Sequence, residues 1–417
     1  MLAGIAGEAA LETLRRAAGR GQRGSVVLTR ANAERFADTL ADLRGAAMKL
    51  GQLLSLYGDD LLPPGFVEVL ARLRDQAYVM PETQVRKVLA DELGPDWEDR
   101  FTEFDFEPIA AASIGQVHAA EATDGRDLAL KLQYPGVSRS ISSDVDNLAV
   151  LLRVSRILPG DVDFEALIPE IKRELRNEAN YRREADNTER YRRLVADDPT
   201  VVVPRVHHDL STRHVLATDR IAALPIEDLR SPEHPPELRN RMGRRLVNLV
   251  FRELFRFRFM QTDPNFANYL FEPQKQRIAL LDFGATRRFT RDFIELYRRL
   301  IVAAVEREQR DLVEVATQLG FLRPNESLDL HLAFADMCEL FAEPLRHPGA
   351  YDFAESDLAL RVRDRGLELL GEYRFIQPPP ESLFLHRKLG GSFLLCAHIG
   401  ASVDCHELYC QLVRSGS

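Results

Sequence analysis

The residues best suited to chemistry stand close together in the chain. Within residues 259–288, FMQTDPNFANYLFEPQKQRIALLDFGATRR, Asp263 is followed five positions later by Asn268, and Asp282 opens an Asp-Phe-Gly. The stretch reads as a polar loop, a short strand or turn, and an apolar strand that ends at Asp282. Carboxylate and amide oxygens so spaced fit a phosphoryl-transfer site. Asp263 belongs to a catalytic loop, Asn268 serves one Mg²⁺, and Asp282 serves the metal that bridges the phosphates. A nucleoside triphosphate brings several negative charges, and Mg²⁺ beside it needs hard oxygen ligands. A lone DFG carries little information. D-x-x-x-x-N followed by a strand and DFG carries much more than the alternative, an acidic turn beside a buried strand.

Such a site needs a cation on the phosphates and a scaffold to hold it. Residues 128–133, LALKLQ, read as a strand with Lys131 among apolar neighbours. A lysine there is costly unless paired. The spacing predicts one long helix over 164–195 that carries Glu178, Asn180 and Glu184. At ~100° per residue Asn180 and Glu184 share a face, and Glu178 lies about 120° from Glu184. Glu184 is thus expected to pair with Lys131, while Glu178 serves a second partner. Ahead of them, 101–107 alternates like an edge strand. A loop of small residues follows, Ala110, Ala111, Ala112 and Ser113, and then a hairpin with Asp124-Gly125 at its turn. Strands are expected at 201–206 and 214–218. The connector at 219–226 has backbone to offer an adenine. A helix over 237–259 leads into the catalytic stretch, and the rest is helical.

The start of the chain reads as a helical extension. Over 31–57, Phe36, Leu40, Leu43, Ala47, Leu50 and Leu54 form an amphipathic stripe, and Gly45, Lys49 and Gln52 share another face. Glycine inside a helix costs about 1 kcal/mol against alanine, so Gly45 and Gly51 point to a close approach by a backbone or a ligand. Helices are expected at 64–74 and 81–92. Residues 1–30 read as one helix, either an ordinary terminal helix or a basic amphipathic one of the kind that can lie on a membrane surface. The division is 1–100 for the extension, 101–222 for an N-lobe and 223–417 for a mostly helical C-lobe. The fold class is α+β, a bilobal protein kinase-like fold.

Composition narrows the function. The chain has 417 residues, 45% apolar and 29% charged, enough for a substantial core. A net charge of −9 argues against a general nucleic-acid binder. Four cysteines without zinc spacing fit a reducing compartment. No run of 18 or more apolar residues is present, and no signal-peptide pattern opens the chain. The expected location is cytoplasmic, with peripheral attachment to a bacterial inner membrane.

The site also departs from that of a protein kinase. After Asp282-Phe283-Gly284 comes Ala-Thr-Arg-Arg-Phe-Thr, and a helical pattern begins by about Asp292, with no APE motif. Gln261-Thr262 replaces the usual His-Arg. Three alanines replace the glycine-rich loop, and alanine takes positive φ only at a cost. Such a site suits Mg²⁺–nucleotide better than a peptide.

Taken together, these pieces resemble the UbiB family of atypical kinase-like proteins. The matching residues are Lys49-Leu50-Gly51-Gln52 for its KxGQ signature, Ala110-Ala111-Ala112-Ser113 for its alanine-rich loop, and Lys131, Glu178 and Glu184. With them come Phe259 through Asn265 and Leu281 through Thr286. Asn180 stands where the ExD motif has aspartate. The ending Leu389-Gly390-Gly391-Ser392-Phe393-Leu394 looks like the mitochondrial branch. The resemblance implies an extension packed over the active site and Mg²⁺-dependent hydrolysis of ATP to ADP in support of ubiquinone biosynthesis. It implies as partners the other enzymes of that process, anionic membrane lipids and prenylated quinone precursors. A homodimer is one assembly it allows. Lys49 and Gln52 would close the peptide site, with Glu178 and Asn180 holding them. Two other readings stay open, a phosphotransferase acting on a small molecule or lipid, and a non-catalytic nucleotide-binding scaffold.

Overall fold

Lys131 lies on a central strand of an antiparallel sheet, and the sheet exists because its strands bury alternate residues. The computed structural model describes residues 79–155, 164–372 and 380–414. The segment carrying Gly45, Lys49 and Gln52 lies outside them, as does most of the extension. The chain divides into two compact units. One holds the described residues up to Ala185 together with Val206–Arg220, and the other holds Asp186–Arg205 and everything from Ile221 on.

In the first unit the sheet order is β1 (Phe101–Phe104), β3 (Gly115–Ala122), β4 (Asp127–Gln133) and β6 (Val215–Asp219), with β2 (Ala110–Ala112) paired to β3. Leu128, Leu130 and Leu132 alternate inward along β4 and are fully buried. Helix α1 (Glu82–Leu93) lays Val85, Val88, Leu89 and Leu93 into the same core, beside Trp97 and Phe101. Gly115 is required where β3 meets β4, since a Cβ there would lie 2.2 Å from the Leu132 carbonyl oxygen. The three alanines are strand rather than loop. They pair with Val117, Gln116 and Gly115, so the segment is a tight hairpin that needs no positive φ. Helices α2 (Val137–Ser155) and α3 (Phe164–Glu178) follow.

The single helix expected over 164–195 is two helices, α3 and α4 (Tyr181–Leu194). The break falls at Ala179-Asn180. The Asn180 backbone carbonyl accepts the N–H groups of Arg183 and Glu184 at 3.0 and 3.2 Å, and its side-chain oxygen accepts the Arg183 N–H at 3.5 Å. Asn180 therefore starts a new helix, a position where asparagine and aspartate serve equally well.

The second unit carries a sheet in the order β5 (Val201–Val202), β10 (Arg277–Leu280), β9 (Tyr269–Glu272) and β7 (Leu224–Pro225). A separate pair joins β8 (Phe259–Gln261) to β11 (Thr286–Arg288). Helix α5 (Pro236–Phe251) ends earlier than the expected 237–259. It passes into a π-helical turn at Arg252–Phe257, and Arg258 then takes a left-handed conformation, φ 51°, before β8. The wider turn faces Glu253 inward, where it is fully buried. Helices α6 (Arg291–Glu306), α7 (Gln309–Leu319), α8 (Leu328–Phe341), α9 (Glu343–Arg346) and α10 (Leu358–Glu372) come next. Helix α11 (Pro380–His398) packs against α5, a short pair joins β12 (Tyr351–Asp352) to β13 (Ser402–Val403), and α12 (Cys405–Tyr409) follows.

Candidate active site

In the first unit, Lys131 stands between Val117 of β3 and Leu216 of β6, with apolar neighbours along its own strand. Its Nζ lies 2.8 and 3.1 Å from the two carboxylate oxygens of Glu184. The lysine side chain is 14% exposed and the glutamate 2%, so the pair is buried on one side and open on the other. The Tyr181 ring lies under the ammonium, 5.2 Å away. Glu184 sits in the first turn of α4, where a carboxylate also meets the positive end of the helix dipole. Glu178, the last residue of α3, accepts a hydrogen bond from the Ser113 hydroxyl at 3.2 Å. The break between α3 and α4 thus sends the two glutamates to different partners. One goes to the lysine strand and the other to the alanine hairpin.

In the second unit, the loop between β8 and β9 holds Asp263 and Asn268. Asn265 caps a short 3₁₀ turn, Phe266–Asn268, by accepting the Ala267 N–H at 3.2 Å. Asn268 points its amide nitrogen at Asp263, 3.2 Å from Oδ2 and 3.3 Å from the backbone carbonyl. That orientation turns its carbonyl oxygen the other way, and oxygen is the liganding end for a hard cation. The Leu281 N–H donates to the Asn268 carbonyl at 3.1 Å, which fixes Asn268 beside the residue preceding Asp282. Asp282 Oδ1 accepts the Gly284 N–H at 2.9 Å, and the Phe283 ring is fully buried against Tyr191, with centroids 4.7 Å apart. The strand after the DFG starts at once. β11 runs antiparallel to β8, with Thr286 opposite Gln261, and α6 begins at Arg291.

Helix α11 holds this loop from behind. Arg387 Nη2 lies 2.5 Å from Asp263 Oδ1. Lys388, 1% exposed, donates to Gln261 Oε1 at 2.9 Å and to the Tyr269 hydroxyl at 2.7 Å, and it lies 3.4 Å from Glu253 Oε2. Gln261 passes the contact on, its Nε2 donating to the Asp263 carbonyl at 2.6 Å. Glu253 Oε1 accepts from the Tyr191 hydroxyl at 2.8 Å and the Gln261 N–H at 3.0 Å. Burial opposes the charge on Lys388, but Glu253 and Tyr269 outweigh it, and the ammonium pKa is raised. Burial likewise holds the Glu253 carboxyl above its ordinary range. Three residues along the helix, Gly391 makes room for Pro264 of the catalytic loop, since a Cβ there would meet the proline ring at 2.4 Å.

Asp282 and Asn268 fit Mg²⁺ in donor type, one carboxylate and one amide oxygen. Mg²⁺ commonly takes only one or two protein ligands and leaves the rest to water and phosphates. Of the sequence-predicted residues, the structure brings Lys131 to Glu184, Ser113 to Glu178, and Asp263 to Asn268. Lys49 and Gln52 lie outside the described residues. Asn180 caps its helix. Sequence reasoning missed Glu253, Arg387 and Lys388. A signal existed for the last two, adjacent cations in an otherwise apolar segment, SLFLHRKLGGSFLL, which is the same anomaly that singled out Lys131.

The ABC1 atypical kinase-like domain family matches residues 72–316. The mitochondrial atypical kinase COQ8B of Rattus norvegicus is 40% identical over 385 residues, which cover 92% of this chain and 72% of that one. The mitochondrial atypical kinase COQ8 of Saccharomyces cerevisiae is 39% identical, covering 93% of this chain and 77% of that one. Among solved structures, Rv3197 of Mycobacterium tuberculosis, determined with erythromycin, is 25% identical, with a TM-score of 0.65 over 92% of this chain and 96% of that one. The expected location in bacterial cytoplasm and at an inner membrane does not stand, because the COQ8 relatives are mitochondrial proteins of eukaryotes. The absence of a signal or span in a sequence fits several compartments. No helix among the described residues is long and apolar enough to cross a membrane. With the α+β kinase-like architecture and the loop geometry in place, the chain belongs to the ABC1 atypical kinase-like family, in the UbiB group of COQ8 kinase-like proteins that support coenzyme Q biosynthesis.

Proposed function

We propose that this kinase-like enzyme is a Mg²⁺-dependent ATPase and not a protein phosphotransferase. The observation that carries the reading is the direct pairing of β11 with β8 and the start of α6 at Arg291, which leave the DFG with no peptide-docking segment behind it. Asp263 supports it. Both of its carboxylate oxygens already accept hydrogen bonds, from Arg387 and Asn268, where a protein kinase would offer its aspartate to an acceptor hydroxyl.

In this reading Lys131, oriented by Glu184, contacts the phosphates, and the Ala110–Ala112 hairpin, tied through Ser113 to Glu178, covers them. Asp282 and Asn268 would hold Mg²⁺, which neutralises charge on the phosphates as it develops. Asp263 orients the attacking water through the oxygen lone pairs its partners leave. The extension, with Lys49 and Gln52, closes the site against peptides, and the lobes divide near residues 222–223. The energy of hydrolysis serves the handling of membrane-held prenylated quinone precursors, alongside the other enzymes of the process.

The test is product analysis on the full chain. ADP should be released with Mg²⁺, without a phosphorylated protein, lipid or small molecule. Asp282→Asn should lower turnover by roughly 10²–10³, about 3–4 kcal/mol, and Asn268→Ala by less. Wild-type turnover in Asp282→Asn would remove this site from the reaction. A stoichiometric phosphorylated lipid would replace the ATPase with a lipid phosphotransferase.

A further inference from the structure

Three guanidiniums gather on the second unit, and none of them has an acidic partner among the described residues. Arg190 and Arg193 are three residues apart on α4, so they share a helix face. Arg288 ends β11, directly opposite Phe259 of β8. The Phe259 ring, 1% exposed, has the Arg190 guanidinium 4.6 Å from its centroid and that of Arg288 at 6.0 Å. Asp186, four residues before Arg190, makes no ion pair with it, and two further acids nearby in the chain are engaged elsewhere. Glu189 binds Arg192, and Asp197 faces Arg252 and Arg256. Burial, then repulsion from Arg288 and Arg193, lowers the pKa of Arg190.

Like charges held this close raise each other's energy, and the cost is recovered only when an anion enters among them. Guanidinium forks match the paired oxygens of a phosphate, and an aromatic ring beneath them fixes their orientation in advance. We propose that Arg190, Arg193 and Arg288 form a binding site for a phosphate-bearing anion, one that shares no residue with the Asp263–Asn268–Asp282 loop. A free phosphate compound and the headgroup of an anionic phospholipid present the same oxygens, so the chemistry is common to both and the experiment separates them.

The full chain is kept in Mg²⁺–ADP so that the nucleotide site is occupied. Inorganic phosphate is titrated calorimetrically. Separately, the protein is sedimented with vesicles of phosphatidylglycerol in phosphatidylcholine and with phosphatidylcholine alone. The variants are R190Q/R288Q and, as a milder change on an exposed helix position, R193Q. ATP turnover without added phosphate and the melting temperature report that each variant is folded, and both should match the wild type. The double variant should bind about tenfold more weakly or worse, and R193Q should fall between. Loss in the phosphate titration identifies a small phosphate ligand. Loss on phosphatidylglycerol vesicles alone identifies a lipid headgroup. Equal binding by wild type and double variant in both assays, or no binding by wild type in either, overturns the proposal.

Discussion

Among the described residues two lysine–glutamate pairs are buried, and they are not alike. Lys131 and Glu184 meet through two short contacts, and the lysine keeps 14% of its side chain exposed. Lys388 and Glu253 are 1% and 0% exposed, 3.4 Å apart, and surrounded by Gln261, Tyr269 and Tyr191. The first pair keeps one side open, as the phosphate-binding role proposed for Lys131 requires. The second is sealed, and its hydrogen bonds lead to the backbone of the catalytic loop. An ion pair with an open side is poised for a ligand. A sealed one holds the surrounding elements in register and strongly penalises the loss of either partner.

The largest expected effect breaks the sealed pair. Lys388→Met leaves Glu253 buried without its cation and should destabilise the second unit by about 3–5 kcal/mol. Adding Glu253→Gln should restore much of that loss, since a buried pair replaced as a whole is often nearly neutral. Urea unfolding of both variants measures it. If Lys388→Met melts like the wild type and loses only turnover, the sealed pair does not hold the second unit together.

The open pair should respond in the opposite proportion. Lys131→Met should lower ATP turnover by roughly 10²–10³. Its cost in stability should be smaller than that of Lys388→Met, because water can reach the vacated side and Glu184 keeps the favourable end of the α4 dipole. Turnover and melting temperature measured on the same preparation settle the proportion. A variant that unfolds as readily as Lys388→Met while hydrolysing ATP normally would reverse the two roles.

The same contrast shows what the sequence made legible. Asp263, Asn268 and Asp282 stand within twenty residues, and their types and spacing express local chemistry. Lys131 betrayed itself as a charge in a strand. Glu184 followed as its partner because the helix period set the faces, even though the helix breaks at Asn180. That break was not legible, because asparagine is tolerated inside a helix and favoured at its start, and only the carbonyl of Arg213, bonded to the Tyr181 N–H at 3.1 Å, helps to settle which applies. The Arg387–Asp263 and Lys388–Gln261 contacts join residues 124 and 127 positions apart, and pairing at that range depends on how α11 packs. The alanine hairpin read as a loop because small residues signal turns, whereas here its register with β3 decides.

A smaller effect should come from the spacing that lets α11 reach the loop. Gly391→Ala places a methyl group where the Pro264 ring now lies, 2.4 Å from two of its carbons. Overpacking of this kind costs about 1–3 kcal/mol, offset in part by alanine's better helix propensity. Because Pro264 follows Asp263 directly, the strain should appear as lower turnover with little change at the Lys131–Glu184 pair. Gly390→Ala is the control, since nothing lies within 4 Å of its would-be Cβ. Equal behaviour of the two variants would show that α11 does not set the loop.

The smallest expected effect is on pH dependence and belongs to the first unit. His118 of β3 is fully buried, its ring stacked on Phe104 with centroids 5.3 Å apart. Its Nδ1 lies 2.7 Å from the Asp105 carbonyl, which can only accept, so that nitrogen carries the proton. Its Nε2 then accepts from the Gln116 amide at 2.7 Å, and the Gln116 oxygen accepts the Met80 N–H at 2.8 Å. This network needs a neutral ring, and burial lowers the pKa below its ordinary value of 6.5, with the Asp105 carbonyl only partly opposing the shift. The unfolded chain therefore binds a proton before the folded one does, and stability rises with pH through that interval. It is complete above about 6.5 and is lost as pH falls below it. His118→Gln keeps polar groups at the position and removes the titration. Hydrogen exchange of the β3 and β4 amides, compared between pH 7.5 and 5.5, should show less acid loss in the variant, while the Lys388 region exchanges alike in both proteins.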